Sequence, residues 1–162
     1  MNNHLLFNKK GFTLIELIIA MAILAIISSF LLGGFLSSQK KARDAQRKSD
    51  LKQIQNALEA YANDHNGLYP NDDSGEIDGA PWGSEFHNPD HSETIYIKKL
   101  PEDPGSVDYY YQQTQSGAGY RLYACLENNQ DSDYYEYTDT TCSGCGENDY
   151  CTYGVASSNE EL

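Results

Sequence analysis

Three groups of residues in this 162-residue chain have the types and spacing to do chemistry. The first is a single carboxylate, Glu16, the only ionisable side chain between Phe12 and Phe35. A carboxylate in a stretch apolar enough to enter a bilayer costs roughly 2.5–3.5 kcal/mol on insertion scales, so it is a functional candidate by default. The plain alternative is that Glu16, one turn inside the run, reaches the interface and does nothing. The second group is Cys125, Cys142, Cys145 and Cys151. Only Cys142 and Cys145 have the close spacing of zinc ligands, and a redox pair needs a thioredoxin-like βαβ setting that is absent from the pattern. Two disulfides stapling the C-terminal loops are therefore favoured over zinc, with three connectivities open. The third group is acidic: the stretch 71–78, with Asp72, Asp73, Glu76 and Asp78, and the stretch 127–139 offer hard oxygen ligands for calcium. Neither fits the D-x-[DN]-x-[DN]-G loop, and a solvated acidic face is the rival reading; no other cofactor is expected. His87 and His91 flank Asn88-Pro89-Asp90, where the proline keeps them off a common helix face, so they are not expected to bind metal. With no Ser-His-Asp set, phosphate loop or paired-carboxylate motif, the chain does not read as an enzyme.

The setting of Glu16 carries more. Lys9-Lys10-Gly11-Phe12-Thr13-Leu14-Ile15-Glu16-Leu17, with the apolar run it opens, resembles the class III signal and N-terminal helix of type IV pilins and type II secretion pseudopilins. The match is close over residues 6–70 and loose beyond. Gly67-Leu68-Tyr69-Pro70 resembles the GxYP step of that family, and Leu100-Pro101-Glu102-Asp103-Pro104 its LPxDP segment. The resemblance implies cleavage between Gly11 and Phe12 by a prepilin peptidase and methylation of the new Phe12 amine. It implies that Glu16 attracts the amine of a neighbouring copy as a filament grows, with an assembly ATPase and an inner-membrane platform protein as further partners. Some members of the family also bind calcium in a loop of the head. The physics of cleavage agrees, since it would place an α-amine four residues from a carboxylate at the edge of an apolar environment. An unpaired buried charge is strongly unfavourable there, whereas an opposite charge on a neighbour relieves it.

The elements that must position these groups follow from pattern. The apolar run is long enough for a spanning helix, which needs about 20 residues, and too long for the core of a secretory signal. Beyond Ser38, Leu51, Ile54, Leu58 and Tyr61 recur at 3-4-3 spacing, so the helix continues as an amphipathic one. It should end at His65 or Asn66, with Gly67 as left-handed cap and Pro70 beyond, after roughly 54 residues or about 80 Å. Gly33-Gly34 is its weak point, each Gly costing about 1 kcal/mol relative to Ala, or else a close contact between neighbouring helices. Residues 71–92 read as an irregular loop pinned by Trp82 and Phe86, and Thr94 to Lys98 as a short strand. Asp108 to Thr114 and Gly119 to Cys125 are the clearest strands, joined by a turn at Gln115 to Ala118. Tyr120, Leu122 and Ala124 share a face that can cover Leu51, Ile54 and Leu58. One more strand is expected around Tyr134 to Tyr137. The fold class is α+β: a long N-terminal helix, membrane-spanning then amphipathic, packed on a small antiparallel sheet, pilin-like. The expected divisions are a leader (1–11), a transmembrane or filament-core helix (12–38), its amphipathic continuation (39–66) and an acidic head (67–162).

Charge narrows the partners. The net charge is −13, and Lys40, Lys41, Arg43, Arg47, Lys48 and Lys52 cluster against only Asp44 and Asp50. From Gln53 onward only Lys98, Lys99 and Arg121 are basic. Nucleic acid binding relies on neutralising phosphates, so the acidic head is not expected to bind it directly. Basic residues flank the apolar run on both sides, so charge alone does not orient it. The cysteines suit an oxidising exterior, which with the resemblance puts the leader inside and the head outside the cytoplasmic membrane, then on a surface or extracellular filament. The expected function is a structural filament subunit assembled from copies of this chain. The alternatives are a minor or tip pilin for adhesion or DNA uptake, or a membrane-anchored binding domain that never polymerises. The size and cysteines of the head lean toward a pilus rather than a secretion pseudopilus.

Overall fold

The computed structural model describes residues 11–89, 91 and 93–162, with residues 30–33 described by backbone alone. Lys9, Lys10 and most of the expected leader lie outside the described residues, as does Asp90 of the His87–His91 stretch. The chain divides into two compact units, one ending at Ser38 and one beginning at Gln39.

Helix α1 is assigned over Leu14–Asp64. It opens with a capping box: Thr13 is the residue before the first helical turn and Glu16 lies three positions on, with their side chains bonded to one another's ends. In the first unit every described side chain of the helix is exposed, because the run is apolar on all sides and has no inner face. Gly34 is helical, and a Cβ there would meet nothing within 4 Å, so this copy alone makes no close contact at that point; Gly33 falls among the residues described by backbone alone.

At the other end, the left-handed cap falls one residue earlier than expected. The amide of Gly67 donates to the carbonyl of Ala62, the six-to-one bond of a Schellman motif, which makes Asn66 (φ 58°) the capping residue and Gly67 (φ 82°) the one after it. Asparagine tolerates this conformation better than most side-chain-bearing residues.

The second unit is built on the inner face of α1. Leu51, Ile54, Ala57, Leu58 and Tyr61 pack with Ile77, Phe86, Leu100, Tyr109, Tyr111, Tyr120, Leu122 and Ala124 in one core. A short hairpin of β1 (Asp72–Asp73) with β2 (Glu76–Ile77), and strand β3 (Phe86–His87), fall in the region expected to be an irregular loop, while β4 (Ile95–Ile97), which pairs with β3, falls in the short strand expected at Thr94 to Lys98. Trp82 and Phe86 do pin it: Phe86 is buried, and Trp82 meets the ring of Tyr109 edge-on at 5.7 Å.

The central sheet is antiparallel, in the order β5 (Tyr110–Thr114), β6 (Gly119–Ala124), β9 (Tyr153–Ala156). A 3-10 turn at Gln115–Gly117 joins β5 to β6. The remaining pair is β7 (Tyr137–Thr141) with β8 (Tyr150–Cys151). Two expectations are corrected here. The strand anticipated at Tyr134 to Tyr137 begins only at Tyr137, and the third strand of the sheet comes from a segment read as polar loop. The reason lies in β6, which is buried on both faces. Tyr120, Leu122 and Ala124 face the helix, while Tyr123 joins a second cluster with Val107 and all four cysteines. A central strand needs a neighbour on each edge, and the C-terminal segment supplies it.

Candidate functional site

The N-terminal end of the described chain presents Phe12, 90 % exposed, next to Glu16. The Thr13 amide and hydroxyl both donate to Glu16 Oε2, at 2.8 and 2.7 Å, and the Glu16 amide donates to the Thr13 hydroxyl at 3.3 Å. Both bonds received by the carboxylate fall on one oxygen; among the described residues Oε1 accepts none. In a single copy Glu16 is therefore locally satisfied as a capping residue, yet keeps an open acceptor. The capping box Thr13-Leu14-Ile15-Glu16 was legible as a motif and is a structural use of Glu16 that the two readings of its charge leave out. Among the described side chains from Phe12 through Leu36, the large apolar ones stand exposed, including Leu14, Ile15, Ile18, Met21, Leu24, Ile26 and Phe35. Apolar exposure on that scale marks a surface built to be covered.

The head is fastened to the second half of α1 by charges rather than by apolar contacts alone. Arg47, 2 % exposed, donates from Nε and Nη2 to the two carboxylate oxygens of Asp103, at 2.5 and 3.0 Å. Its Nη1 donates to Asp44 Oδ1 at 2.8 Å and to Glu127 Oε1 at 3.0 Å. Arg43 makes a second fork onto Glu127, at 2.7 and 2.5 Å. Asp44 also accepts the backbone amides of Glu127 and Asn128, both at 2.9 Å. Asp50, one turn beyond Arg47, accepts the Tyr109 hydroxyl at 2.7 Å.

Burial alone would lower the pKa of Arg47, but hydrogen bonds and charge from Asp103, with Asp44 and Glu127, more than offset it and raise it. The Arg43 hydrogen bonds hold the Glu127 carboxyl at about 2, against a burial that raises it, and Arg47 adds to the lowering. Burial pushes the Tyr109 phenol well above its usual range, and the bond to Asp50 adds to that. A buried charge is tolerable only when paired and fully hydrogen-bonded, and this set meets that condition.

This network was missed in the sequence, although a signal was there. Asp44 and Arg47 extend the stripe Leu51, Ile54, Leu58, Tyr61 backwards at the same three- and four-residue spacing, so charged residues occupied core-facing positions. Asp103 of the LPxDP-like segment acquires a concrete task as the bidentate partner of Arg47.

All four cysteines are paired: Cys125 with Cys145 and Cys142 with Cys151. These bridges interleave along the chain and tie the end of β6 to the loop between β7 and β8, and that loop to β8. They hold in place the segment that leads into β9.

The metal candidates are not brought together. Asp72, Asp73 and Glu76 lie on the β1–β2 hairpin, with Asp78 just after it. Among the described residues no group of three or more His, Cys, Asp or Glu side chains converges to hold a metal ion, His87 and His91 included.

Comparison with known proteins finds two family models along the chain. Residues 6–32 match the family model described as the prokaryotic N-terminal methylation motif, and residues 34–142 match that of type II secretion system (T2SS), protein G. Relatives include the type II secretion system core protein G of Vibrio cholerae serotype O1, 37 % identical over 105 residues that cover 64 % of this chain and 70 % of the relative. That of Klebsiella pneumoniae is 33 % identical over 103 residues, covering 62 % and 72 %. That of Pseudomonas aeruginosa is 30 % identical over 118 residues, covering 72 % and 82 %. No solved structure matches. These relatives are secretion proteins, against the lean toward a surface pilus. With a methylation motif at its start, a protein G match across most of the remainder and a helix-on-sheet fold, the chain belongs to the type II secretion system protein G family of pseudopilins.

Proposed function

We propose that this chain is the repeating subunit of a pseudopilus-type filament of a type II secretion system, and that it acts by assembly rather than catalysis. The observation that carries the proposal is the exposure of the large apolar side chains described between Phe12 and Leu36, headed by a carboxylate with an open oxygen. Such a surface needs a bilayer before assembly and neighbouring helices after it. Among the described residues no single helix is long and apolar enough to cross a membrane, but the stretches Leu14–Ser29 and Gly34–Asp64 together pass on length and composition.

In this scheme a prepilin peptidase cuts after Gly11 and the Phe12 amine is methylated. The subunit waits in the cytoplasmic membrane with its head outside. Glu16 then receives the amine of a neighbour, and the apolar runs pack into the filament core, driven by an assembly ATPase through an inner-membrane platform protein. Head-to-tail contacts of this kind do not close on themselves, which is why the product is a fibre.

The test is the intact mass of the protein in sheared extracellular material and in membranes. A species beginning at methylated Phe12 in the sheared fraction is expected. A species retaining Met1 and confined to membranes would leave an anchored domain that never polymerises.

A further inference from the structure

In the other stretch rich in oxygen ligands, 127–139, a cation of the chain itself is already in place. Lys48 on α1 extends Nζ to Asp131 Oδ1 at 2.6 Å and to Asp133 Oδ2 at 2.8 Å. The same ammonium lies 5.5 Å from the centre of the Tyr153 ring. Asp131 and Asp133 form one tight turn, because the Asp133 amide donates back to Asp131 Oδ1 at 3.0 Å and the Tyr134 amide to the Asp131 carbonyl at 3.2 Å. The start of the same loop is held by Asp44, by the Arg43 fork on Glu127 and by a single bond from Arg47 to Glu127.

We infer that Lys48 is a built-in substitute for a divalent ion, which locks the 127–134 loop onto α1 and makes the fold of the head independent of calcium. The inference stands apart from the filament proposal, since it concerns a single folded copy.

The physical reasons are steric and electrostatic. An ammonium at hydrogen-bond distance from both carboxylates occupies the space between them. A calcium ion brought to the same two side chains would sit beside a positive charge. It would also need several further oxygens, and among the described residues no third acidic side chain converges there. The ammonium has three donors and an aromatic face beside it, so its own needs are met.

The experiment uses the full chain in detergent micelles, with the single Trp82 as fluorescence probe of thermal unfolding. Calcium at 10 mM and EGTA are compared at matched ionic strength. The midpoints are expected to agree within about 1 °C. A site with a dissociation constant near ~10⁻⁴ M would instead raise the midpoint by roughly 6–10 °C at that concentration, and such a rise would overturn the inference. Lys48→Met keeps the chain length and removes the charge, and in EGTA it should lower the midpoint by roughly 3–6 °C. An unchanged midpoint in Lys48→Met would equally overturn it. If that variant does not fold, the calcium comparison on the natural sequence decides alone.

Discussion

The two units of this chain solve opposite problems with one continuous secondary-structure type. Up to Ser38 the helix has apolar side chains in every direction, and among the described ones none is covered within the copy. From Gln39 on, the same kind of helix turns one stripe inward, and that stripe changes from charged (Asp44, Arg47) to apolar (Leu51, Ile54, Leu58). The first unit leaves its free energy to be gained from other molecules. The second gains its free energy within itself, with two clusters, two disulfides and a buried ion network. A helix is thus neutral as to purpose, and the distribution of polarity around it decides whether its partner is intramolecular or not.

If the division is real, the two units should fail separately. The largest effect is expected from Glu16→Ala, which should reduce sheared filament at least about tenfold, a loss that needs only about 1.4 kcal/mol per contact. The unfolding midpoint of the head should stay within about 1 °C. Because Glu16 also caps the helix, Thr13→Val serves as control. It removes a cap of about 1 kcal/mol but keeps the carboxylate, so filaments should persist. Normal filaments from Glu16→Ala, or lost filaments from Thr13→Val alone, would mean that capping and not pairing is what Glu16 does.

The reverse experiment strikes the second unit. Arg47→Met strands Asp44 and Asp103 as buried carboxylates, and breaking a buried pair from one side costs about 3–5 kcal/mol. The thermal midpoint should fall by roughly 10 °C or more, while the cleavage proposed after Gly11 should be unaffected. A small change in midpoint would show the network to be decoration on an apolar core.

A gentler probe is pH. The folded-state pKa of Glu127 is lowered from 4.5 to about 2, so its contribution is complete above about pH 4.5 and disappears as pH falls through about 2. Melting curves of the natural chain should therefore lose stability across that window. Glu127→Gln should show a flatter decline there, and parallel curves for the two would rule out Glu127 as a source of acid sensitivity.

Much of this protein was readable from order of residues alone, where the signal is local. A long apolar run reads as a helix because each turn repeats the same side-chain chemistry, and Leu51, Ile54, Leu58 and Tyr61 reveal an inner face because helical geometry fixes which positions align. The antiparallel pairing of β5 and β6 is equally local, since a short turn joins two alternating strands. The Thr13–Glu16 box belongs to the same class, although its meaning was overshadowed by the charge of Glu16 in an apolar setting.

What depended on the tertiary structure is whatever joins residues far apart in the chain. Nothing near Arg47 indicates Asp103 or Glu127, and nothing near Lys48 indicates Asp131 and Asp133. Each such contact exists only because the sheet carries those loops back across α1. The pairing of Cys125 with Cys145 and Cys142 with Cys151 was one of three options that composition could not separate. Strand β9 has too little alternation to announce itself and forms because β6 has a free edge and the bridges deliver the chain to it. Local geometry wrote the helix and its assembly end, whereas long-range charge pairing and cross-links, which have no period along the chain, decided how the head is closed.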